Sequence, residues 1–478
     1  MAPAVVTRRF LSRRAASSLA MLVVAVGTGC HAATGWIWVR WLAEAGLLVY
    51  CTLELPDIST GGRRMLVVAA AAAVATVAMA PRPLPILDRG LWAAASLAGL
   101  FAALGFLREA AVSSDLVHRS GGLMVRQPPG RRYMVLALGS HMVSLVLNIG
   151  VLPLLGTMVM EGNTIEAAGG DPRIVAIRRQ RMISALLRGF TLMTLWSPLS
   201  ISFAVVQTVV PGVAWVKLAP LQVVFAGVLL VWGWALDRVS FRHTGLVPPA
   251  VETGGGWAPV ARLALLIAAV MAVSLAVAHV LGTELIMGAV LFVPVAAWIW
   301  LAAQHGGEGA ANAAVTAFRV MARRLSVTLP NFRSEVATVC GAMFLGSVVS
   351  ALVTPAMSAR AMTAIGLPPL LLTILVPWIV IVLARVGVSQ IVTISVLGGA
   401  FADLGAMGIN PVVLASGLMG AWGLAVSFSP VGAATLMTAR VAGVPGAEVR
   451  NWNRVYAWGG AIILAVWMLV LHWGIILG

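Results

Sequence analysis

Residues 196–202 read WSPLSIS, and residues 428–435 read FSPVGAAT. Both stretches place an aromatic residue, a serine and a proline in the middle of a long apolar segment. Proline removes a helix hydrogen bond and clashes with the preceding turn, so the pattern predicts one helix interrupted near Pro198 and another near Pro430. Inside a membrane, such interruptions leave backbone amides and carbonyls that can bind ions or substrate groups.

The rest of the chain is predominantly apolar. Of its 478 residues, 60% are hydrophobic and only 10% are charged, and the mean hydropathy is +0.98. Soluble proteins carry about 25% charged residues, so the lipid bilayer is the solvent for most of this chain. We therefore predict an all-α polytopic membrane protein with about 11 transmembrane helices and two re-entrant hairpins in two inverted repeats. The predicted spans are 17–34, 36–53, 65–80, 91–107, 182–210, 220–236, 257–281, 284–304, 335–353, 411–439 and 456–477.

The formal net charge of +16 reflects arginines that lie in short clusters between the apolar segments. The positive-inside rule assigns these clusters, including a predicted loop from Arg173 to Arg181, to the cytoplasm, so no nucleic-acid partner is expected. Basic residues before residue 17 place the N-terminus in the cytoplasm, and the first apolar run is interpreted as a membrane helix rather than a cleaved signal. We expect a multi-pass protein of the bacterial cytoplasmic (inner) membrane.

Two apolar segments have features of re-entrant hairpins. Residues 133–160 have basic residues on both flanks, so both flanks should be cytoplasmic, yet two full crossings need about 40 residues. A hairpin with its tip near Asn148 meets both conditions; the alternative is a single helix with one basic loop on the wrong side. Residues 369–402 are the predicted counterpart, which enters from the outside and has its tip near Ser389 and Gln390.

The order of elements then repeats: two helices, a hairpin, an interrupted helix and a final helix. This order predicts N-terminal membrane helices in residues 1–60, a first inverted repeat in 61–236, a cytoplasmic linker in 237–256 and a second inverted repeat in 257–478. Interrupted segments at matching positions of two halves are typical of the binding site of a secondary transporter.

The arrangement resembles the ion transporter superfamily, which includes the divalent anion/sodium symporters and the arsenite permeases. The tips near Asn148 and near Ser389–Gln390 lie where that family carries Ser-Asn-Thr, and the two Ser-Pro breaks lie where it carries Thr-Pro. Neither tip spells Ser-Asn-Thr: the first lacks the flanking hydroxyls, and the second has glutamine in place of asparagine. The resemblance implies a homodimer that moves a transport domain past a scaffold, as an elevator, and the departures indicate an uncharacterised branch whose substrate and coupling ion do not carry over.

The expected function is secondary active transport of a small, anionic solute, coupled to a proton or sodium gradient. Arg385, beside the second tip, could hold a carboxylate or oxyanion through two parallel hydrogen bonds. The partners are then a small-molecule or ion substrate and the lipid bilayer. The predicted binding residues are Asn148, Ser197, Pro198, Ser200, Arg385, Ser389, Gln390, Ser429, Pro430 and Thr435.

The sequence contains no motif of a known catalytic centre. It has no His-Glu-x-x-His, no Gly-x-Ser-x-Gly and no phosphate-binding Gly-x-x-x-x-Gly-Lys, and its three cysteines, Cys30, Cys51 and Cys340, are isolated. We therefore predict no enzymatic activity, no cofactor and no metal site. The alternative function is a non-transport membrane subunit or a membrane-embedded enzyme of envelope biogenesis.

Overall fold

The computed structural model describes residues 2–210, 212–241, 256–353, 356–357, 360, 364, 366–400 and 408–477. In these residues the chain forms α-helices joined by short loops and single 3-10 turns, and it contains no strand. Ten segments of the described chain are long and apolar enough to cross a membrane. The prediction of an all-α polytopic membrane protein is confirmed.

The ten segments differ from the predicted spans at three places. The predicted span 36–53 is helical from Ile37 to Glu54 but contains Arg40, Glu44 and Glu54, so its composition excludes it from the ten. Conversely, the helical segment Gly130–Glu161, predicted as a hairpin, is long and apolar enough to be included. The predicted span 411–439 is divided into two shorter helices.

The prediction that the residues from Arg173 to Arg181 form a loop is wrong, because they are helical. The helix that leads to the first Ser-Pro break begins at Pro172. The Asp171 side chain caps it by accepting a hydrogen bond of 2.8 Å from the Arg173 amide. Proline suits the first position of a helix, and long arginine stems can lie along the helix while the charged groups reach the lipid–water boundary. A basic cluster therefore does not by itself mark a loop.

Contacts divide the chain into two compact units. The first consists of residues 1–114, 266–354 and 398–400. Its helices are α1 (Ala2–Thr34), α2 (Ile37–Glu54), α3 (Thr60–Met79), α4 (Pro83–Val112), most of α11 (Ala258–Val280), α12 (Leu285–Gln304), α13 (Ala310–Asn331) and α14 (Arg333–Leu352).

Small residues let the helices of the first unit approach closely. A Cβ atom on Gly27 of α1 would lie 2.9 Å from the Cβ atom of Ala43 of α2, and one on Gly99 of α4 would lie 2.4 Å from the Thr28 hydroxyl. Such contacts are the usual basis of helix association in a bilayer, where no hydrophobic force drives helices together.

The second unit consists of residues 115–265, 355–397 and 401–478. Its helices are α5 (Asp115–Val125), α6 (Pro129–Leu147), α7 (Val151–Glu161), α8 (Pro172–Trp196), α9 (Ile201–Val209), α10 (Trp215–Ser240), α15 (Pro369–Arg385), nearly all of α16 (Gln390–Ala400), α17 (Pro411–Val426), α18 (Ala433–Ala442) and α19 (Gly446–Leu477). This unit contains the first segment predicted as a hairpin, most of the second, and both interrupted helices. The repeat boundaries of the sequence analysis stay a prediction. The predicted linker 237–256 begins inside α10, which ends at Ser240, and its residues 242–255 lie outside the described residues, as do residues 401–402 of the second predicted hairpin.

Candidate functional site

The first break lies between α8, which ends at Trp196, and α9, which begins at Ile201. Its hydroxyl groups bind its own backbone. The Ser197 Oγ accepts a hydrogen bond of 3.2 Å from the Leu199 amide, and the Ser200 Oγ accepts one of 3.2 Å from the Phe203 amide. Ser200 is therefore the N-cap of α9, which satisfies one of the amides that a helix start leaves open.

The remaining hydrogen bonds of the first break also join groups of the break to one another. The Ser200 Oγ donates to the Ser197 carbonyl at 2.7 Å, and the Ser202 Oγ lies 2.8 Å from the Ser200 Oγ and contacts the Thr194 carbonyl. Ser197, Pro198 and Ser200 are all buried. The break has little polar capacity left for a ligand.

The second break lies between α17, which ends at Val426, and α18, which begins at Ala433. Gly432 occupies the N-cap position of α18, so no side chain caps this helix. The Ser429 side chain is 1% exposed, and its hydroxyl has no hydrogen-bond partner in the described part of the chain. The Thr435 Oγ1 donates to the Val426 carbonyl at 3.2 Å, which leaves the uncapped amides and the Ser429 hydroxyl as open groups.

The turn after α15 lies beside this second break. The Cζ atom of Arg385, in the last turn of α15, lies 5.6 Å from the centre of the Phe428 ring. Gly387 has a φ of +96°, and a Cβ atom there would lie 3.9 Å from the Pro430 ring and 3.8 Å from Val431. A guanidinium group and an uncapped helix N-terminus therefore lie in one neighbourhood, where both favour an anion.

The other two predicted residues of this turn belong to the start of the helix that follows. Ser389 and Gln390 are half-buried at the start of α16. The Ser389 carbonyl accepts hydrogen bonds of 3.0 Å from the Thr393 amide and 3.1 Å from the Thr393 Oγ1, so the backbone contributes to the first turn of α16.

The first predicted tip is interrupted at Asn148, between α6 and α7. Asn148 has φ +49° and ψ −132°, and no other non-glycine residue in the described chain has a positive φ. Its Oδ1 accepts a hydrogen bond of 2.8 Å from the following amide, that of Ile149. Such conformations cost about 1–3 kcal/mol and cluster at functional sites, so Asn148 remains a candidate.

Both arms of this first segment lie against α8. The Ser140 hydroxyl of α6 donates to the Leu186 carbonyl at 2.7 Å, and Asn163, just after α7, donates through Nδ2 to the Val175 carbonyl at 2.9 Å. A Cβ atom on Gly189 would lie only 2.1 Å from the Ala137 carbonyl oxygen, so glycine is required for this approach of α8 to α6.

The two interrupted helices meet within the second unit. A Cβ atom on Gly423 of α17 would lie 2.6 Å from the Leu195 side chain of α8, so the helices cross shortly before each break. No hydrogen bond in the described residues joins a predicted site residue of the first half to one of the second. The structure thus divides the predicted residues into a first-break group and a second-break group, and their convergence on one ligand stays a prediction.

One polar residue of the second unit was not identified from the sequence. Arg188, in the interior of α8, is 5% exposed. The sequence contained a signal for it, because an ionisable residue inside an apolar span is a functional candidate by default. The signal was missed because Arg188 follows the basic cluster that ends at Arg181.

These features define a polytopic α-helical membrane protein with interrupted helices in one of its two units. The structure is similar to the crystal structure of the Alcanivorax borkumensis YdaH transporter, which is described as having an unusual topology. The TM-score is 0.54 at 17% sequence identity, and the match covers 78% of this chain and 85% of that chain. No protein-family model matches the chain, and no curated protein matches it. The likeness is one of fold.

Proposed function

We propose that this chain is a secondary active transporter that moves a small anionic solute across the bacterial cytoplasmic membrane. The observation that carries the proposal is the open second break. There, a buried serine hydroxyl has no hydrogen-bond partner among the described residues, the helix N-terminus that follows is uncapped, and a guanidinium group lies 5.6 Å from the ring of the adjacent Phe428. A buried polar group without a partner is costly, and an anion would satisfy all three groups at once.

The charge of the solute follows from the donors. The first amides of α18 carry the positive end of a helix dipole, and Arg385 adds a full positive charge with two parallel N–H groups. The Ser429 hydroxyl can donate one more hydrogen bond. A carboxylate or another oxyanion presents the matching acceptors.

The transport mechanism that we propose is of the elevator type, in which the second unit carries the solute. It is supported by the distribution of the interruptions, since that unit contains both broken helices and both helix–turn–helix segments. In this proposal, α6–α7 and α15–α16 are re-entrant hairpins of two inverted repeats. The resemblance to the ion transporter superfamily supports this interpretation and implies a homodimer.

The coupling ion is proposed to be a proton or sodium, with the proton favoured. The reason is the altered tips: Asn148 lacks flanking hydroxyls, and Gln390 stands where the family has asparagine. The hydroxyl and amide groups associated with sodium in that family are therefore incomplete here. The N-terminus is proposed to be cytoplasmic because of the arginines before residue 17.

The test is a thermal-shift screen of the purified protein over organic and inorganic anions, with and without sodium, followed by uptake into proteoliposomes. We expect a subset of anions to raise the melting temperature and to be taken up when a proton or sodium gradient is imposed. Uptake that persists after all ion gradients are collapsed would indicate a uniporter or channel instead. Anion binding without any uptake would favour a non-transport membrane subunit or enzyme.

A further inference from the structure

Arg188 is a buried cation without a buried anion beside it. No carboxylate in the described residues lies within ion-pair distance of its guanidinium, whereas the neighbouring Arg181 forms a two-point ion pair with Asp237, with distances of 3.0 and 2.6 Å. A buried charge is strongly unfavourable unless hydrogen bonds satisfy it. A hydrophobic residue would fill the same volume at lower cost, so the guanidinium has a role that packing alone does not require.

The partners of Arg188 come from three other helices. Its Nε donates to the Asn453 Oδ1 at 2.9 Å and its Nη2 to the Trp452 carbonyl at 3.2 Å, both on α19. Its Nη1 reaches the Gly233 carbonyl of α10 at 3.5 Å and the Tyr133 hydroxyl of α6 at 3.4 Å.

Two aromatic rings complete this environment. The Arg188 Cζ atom lies 4.7 Å from the centre of the Tyr456 ring and 5.9 Å from that of the Tyr133 ring. Only the rigid, planar fork of arginine can bind several helices in this way, since a lysine ammonium group is a single compact point of charge.

A series of hydroxyl bonds links Arg188 to the first break. The Thr191 Oγ1 donates to the Arg188 carbonyl at 2.7 Å, and the Thr194 Oγ1 donates to the Thr191 carbonyl at 2.7 Å. The Thr194 carbonyl in turn contacts the hydroxyl of Ser202, on the far side of the break. Hydrogen bonds therefore connect the turn that holds Arg188 with the start of α9.

We propose that Arg188 is a positioning residue that fixes the first broken helix against the start of α19, and thereby sets the geometry of the break at Ser197–Ser200. The role depends on the shape of the guanidinium fork as well as on its charge. It is independent of the transport activity proposed above, and it can be tested in the absence of any solute.

The test compares hydrogen–deuterium exchange of the full-length protein with that of Arg188→Lys, which keeps the charge and removes the fork. We expect exchange to become about tenfold faster or more in peptides covering 194–205 and 446–456, a change that corresponds to the loss of one charge-assisted hydrogen bond. Peptides of α15 should be unchanged. The matched control is Arg181→Lys, whose faster exchange should be confined to the start of α8 and the end of α10.

A second pair of variants keeps the proposal testable if Arg188→Lys does not fold. Asn453→Leu should reproduce the same local pattern, because it removes the acceptor of the Arg188 Nε. Asn453→Asp should lower the melting temperature less than Asn453→Leu does, because it supplies a counter-charge to Arg188, although both variants lose the hydrogen bond of 2.9 Å from the Asn453 Nδ2 to the Val449 carbonyl. A uniform increase of exchange over the second unit, an increase limited to the turn around residue 188, or a melting temperature lowered equally by both Asn453 variants would overturn the proposal.

Discussion

The two breaks are similar in sequence and opposite in hydrogen bonding. Aligned on their prolines, Ser197 corresponds to Ser429, and Ser200 corresponds to Gly432. At the first break, both serine hydroxyls bind the local backbone, and Ser200 caps the helix that follows. At the second break, glycine occupies the capping position, and the serine hydroxyl has no partner among the residues that the structure describes.

The difference teaches that a break in a membrane helix is not in itself a binding site. An interruption frees backbone groups, and the neighbouring side chains decide whether those groups are satisfied internally or remain open to a ligand. The two breaks differ in this way at the capping position, where Ser200 stands in the first and Gly432 in the second. We therefore assign a structural role to the first break and the ligand-binding role of the proposed transporter to the second.

The largest expected effect comes from the charged residue at the second break. Arg385→Gln should weaken the binding of an anion identified in the thermal-shift screen by about 1.5–3 kcal/mol, because a charge-assisted hydrogen bond is lost. The melting temperature without ligand should change little, since Arg385 is only half-buried. Isothermal titration calorimetry measures the affinity. Arg454→Gln, which alters an exposed helical arginine, is the control, and equal affinity in the wild type and Arg385→Gln would contradict the assignment.

The second effect concerns the open hydroxyl. Ser429→Ala should weaken anion binding by about 1–2 kcal/mol, because it removes a donor that the ligand would use. It should not lower the melting temperature of the ligand-free protein, because the hydroxyl has no hydrogen-bond partner to lose in the described part of the chain. Ser427→Ala in the same loop is the matched control, since the Ser427 Oγ donates to the Leu424 carbonyl at 2.8 Å. Loss of stability with unchanged affinity in Ser429→Ala would show that the hydroxyl is structural.

The third effect tests the closed break. Ser200→Ala should destabilise the protein by about 1 kcal/mol, the usual cost of removing a serine N-cap. Anion affinity should be unchanged. Melting temperatures from differential scanning calorimetry provide the measurement. The control is Ser326→Ala of the first unit, which alters a half-buried serine that caps no helix and donates to the Arg323 carbonyl at 2.7 Å. A clear loss of anion affinity in Ser200→Ala would restore the first break to the binding site.

The sequence predicted where the helices are interrupted, but not which interruption is open. Proline chemistry acts locally, so Pro198 and Pro430 located both breaks without any knowledge of tertiary structure. Hydrogen bonding depends on side-chain direction, and the sequence could not show that the Ser197 hydroxyl accepts from a backbone amide while the Ser429 hydroxyl does not. The repeat pattern grouped Arg385 with Ser429 in one predicted site, but it did not predict the contact with Phe428, which joins residues 43 positions apart.

The loop predicted from Arg173 to Arg181 was wrong because the prediction rested on charge alone. The positive-inside rule counts arginines and lysines near a membrane boundary but does not distinguish a loop from the first turns of a helix. It therefore treated the residues from Arg173 to Arg181 as a loop, and the nearby Arg188 escaped notice as a buried residue. Three-dimensional contacts were needed to distinguish the arginines near the membrane boundary from Arg188, which is buried among the helices.

The smallest expected effect comes from a substitution that gives the second break the capping residue of the first. Gly432→Ser places a capping residue at the start of α18, where the backbone φ of −65° and ψ of 129° suit an N-cap serine. Serine and glycine differ at an N-cap by only a few tenths of a kcal/mol. The new Cβ would lie 3.3 Å from the Ser429 Cβ, a tight contact to which the Ser429 side chain must give slightly, so we expect a small decrease in the melting temperature. Anion affinity should fall, because the new hydroxyl accepts from an amide that the ligand would otherwise bind. Ser200→Gly at the first break is the reciprocal control, which should leave affinity unchanged. If Gly432→Ser bound the anion as tightly as the wild type, the free amides of α18 would not be part of the site, and Arg385 and Ser429 would have to account for the affinity without them.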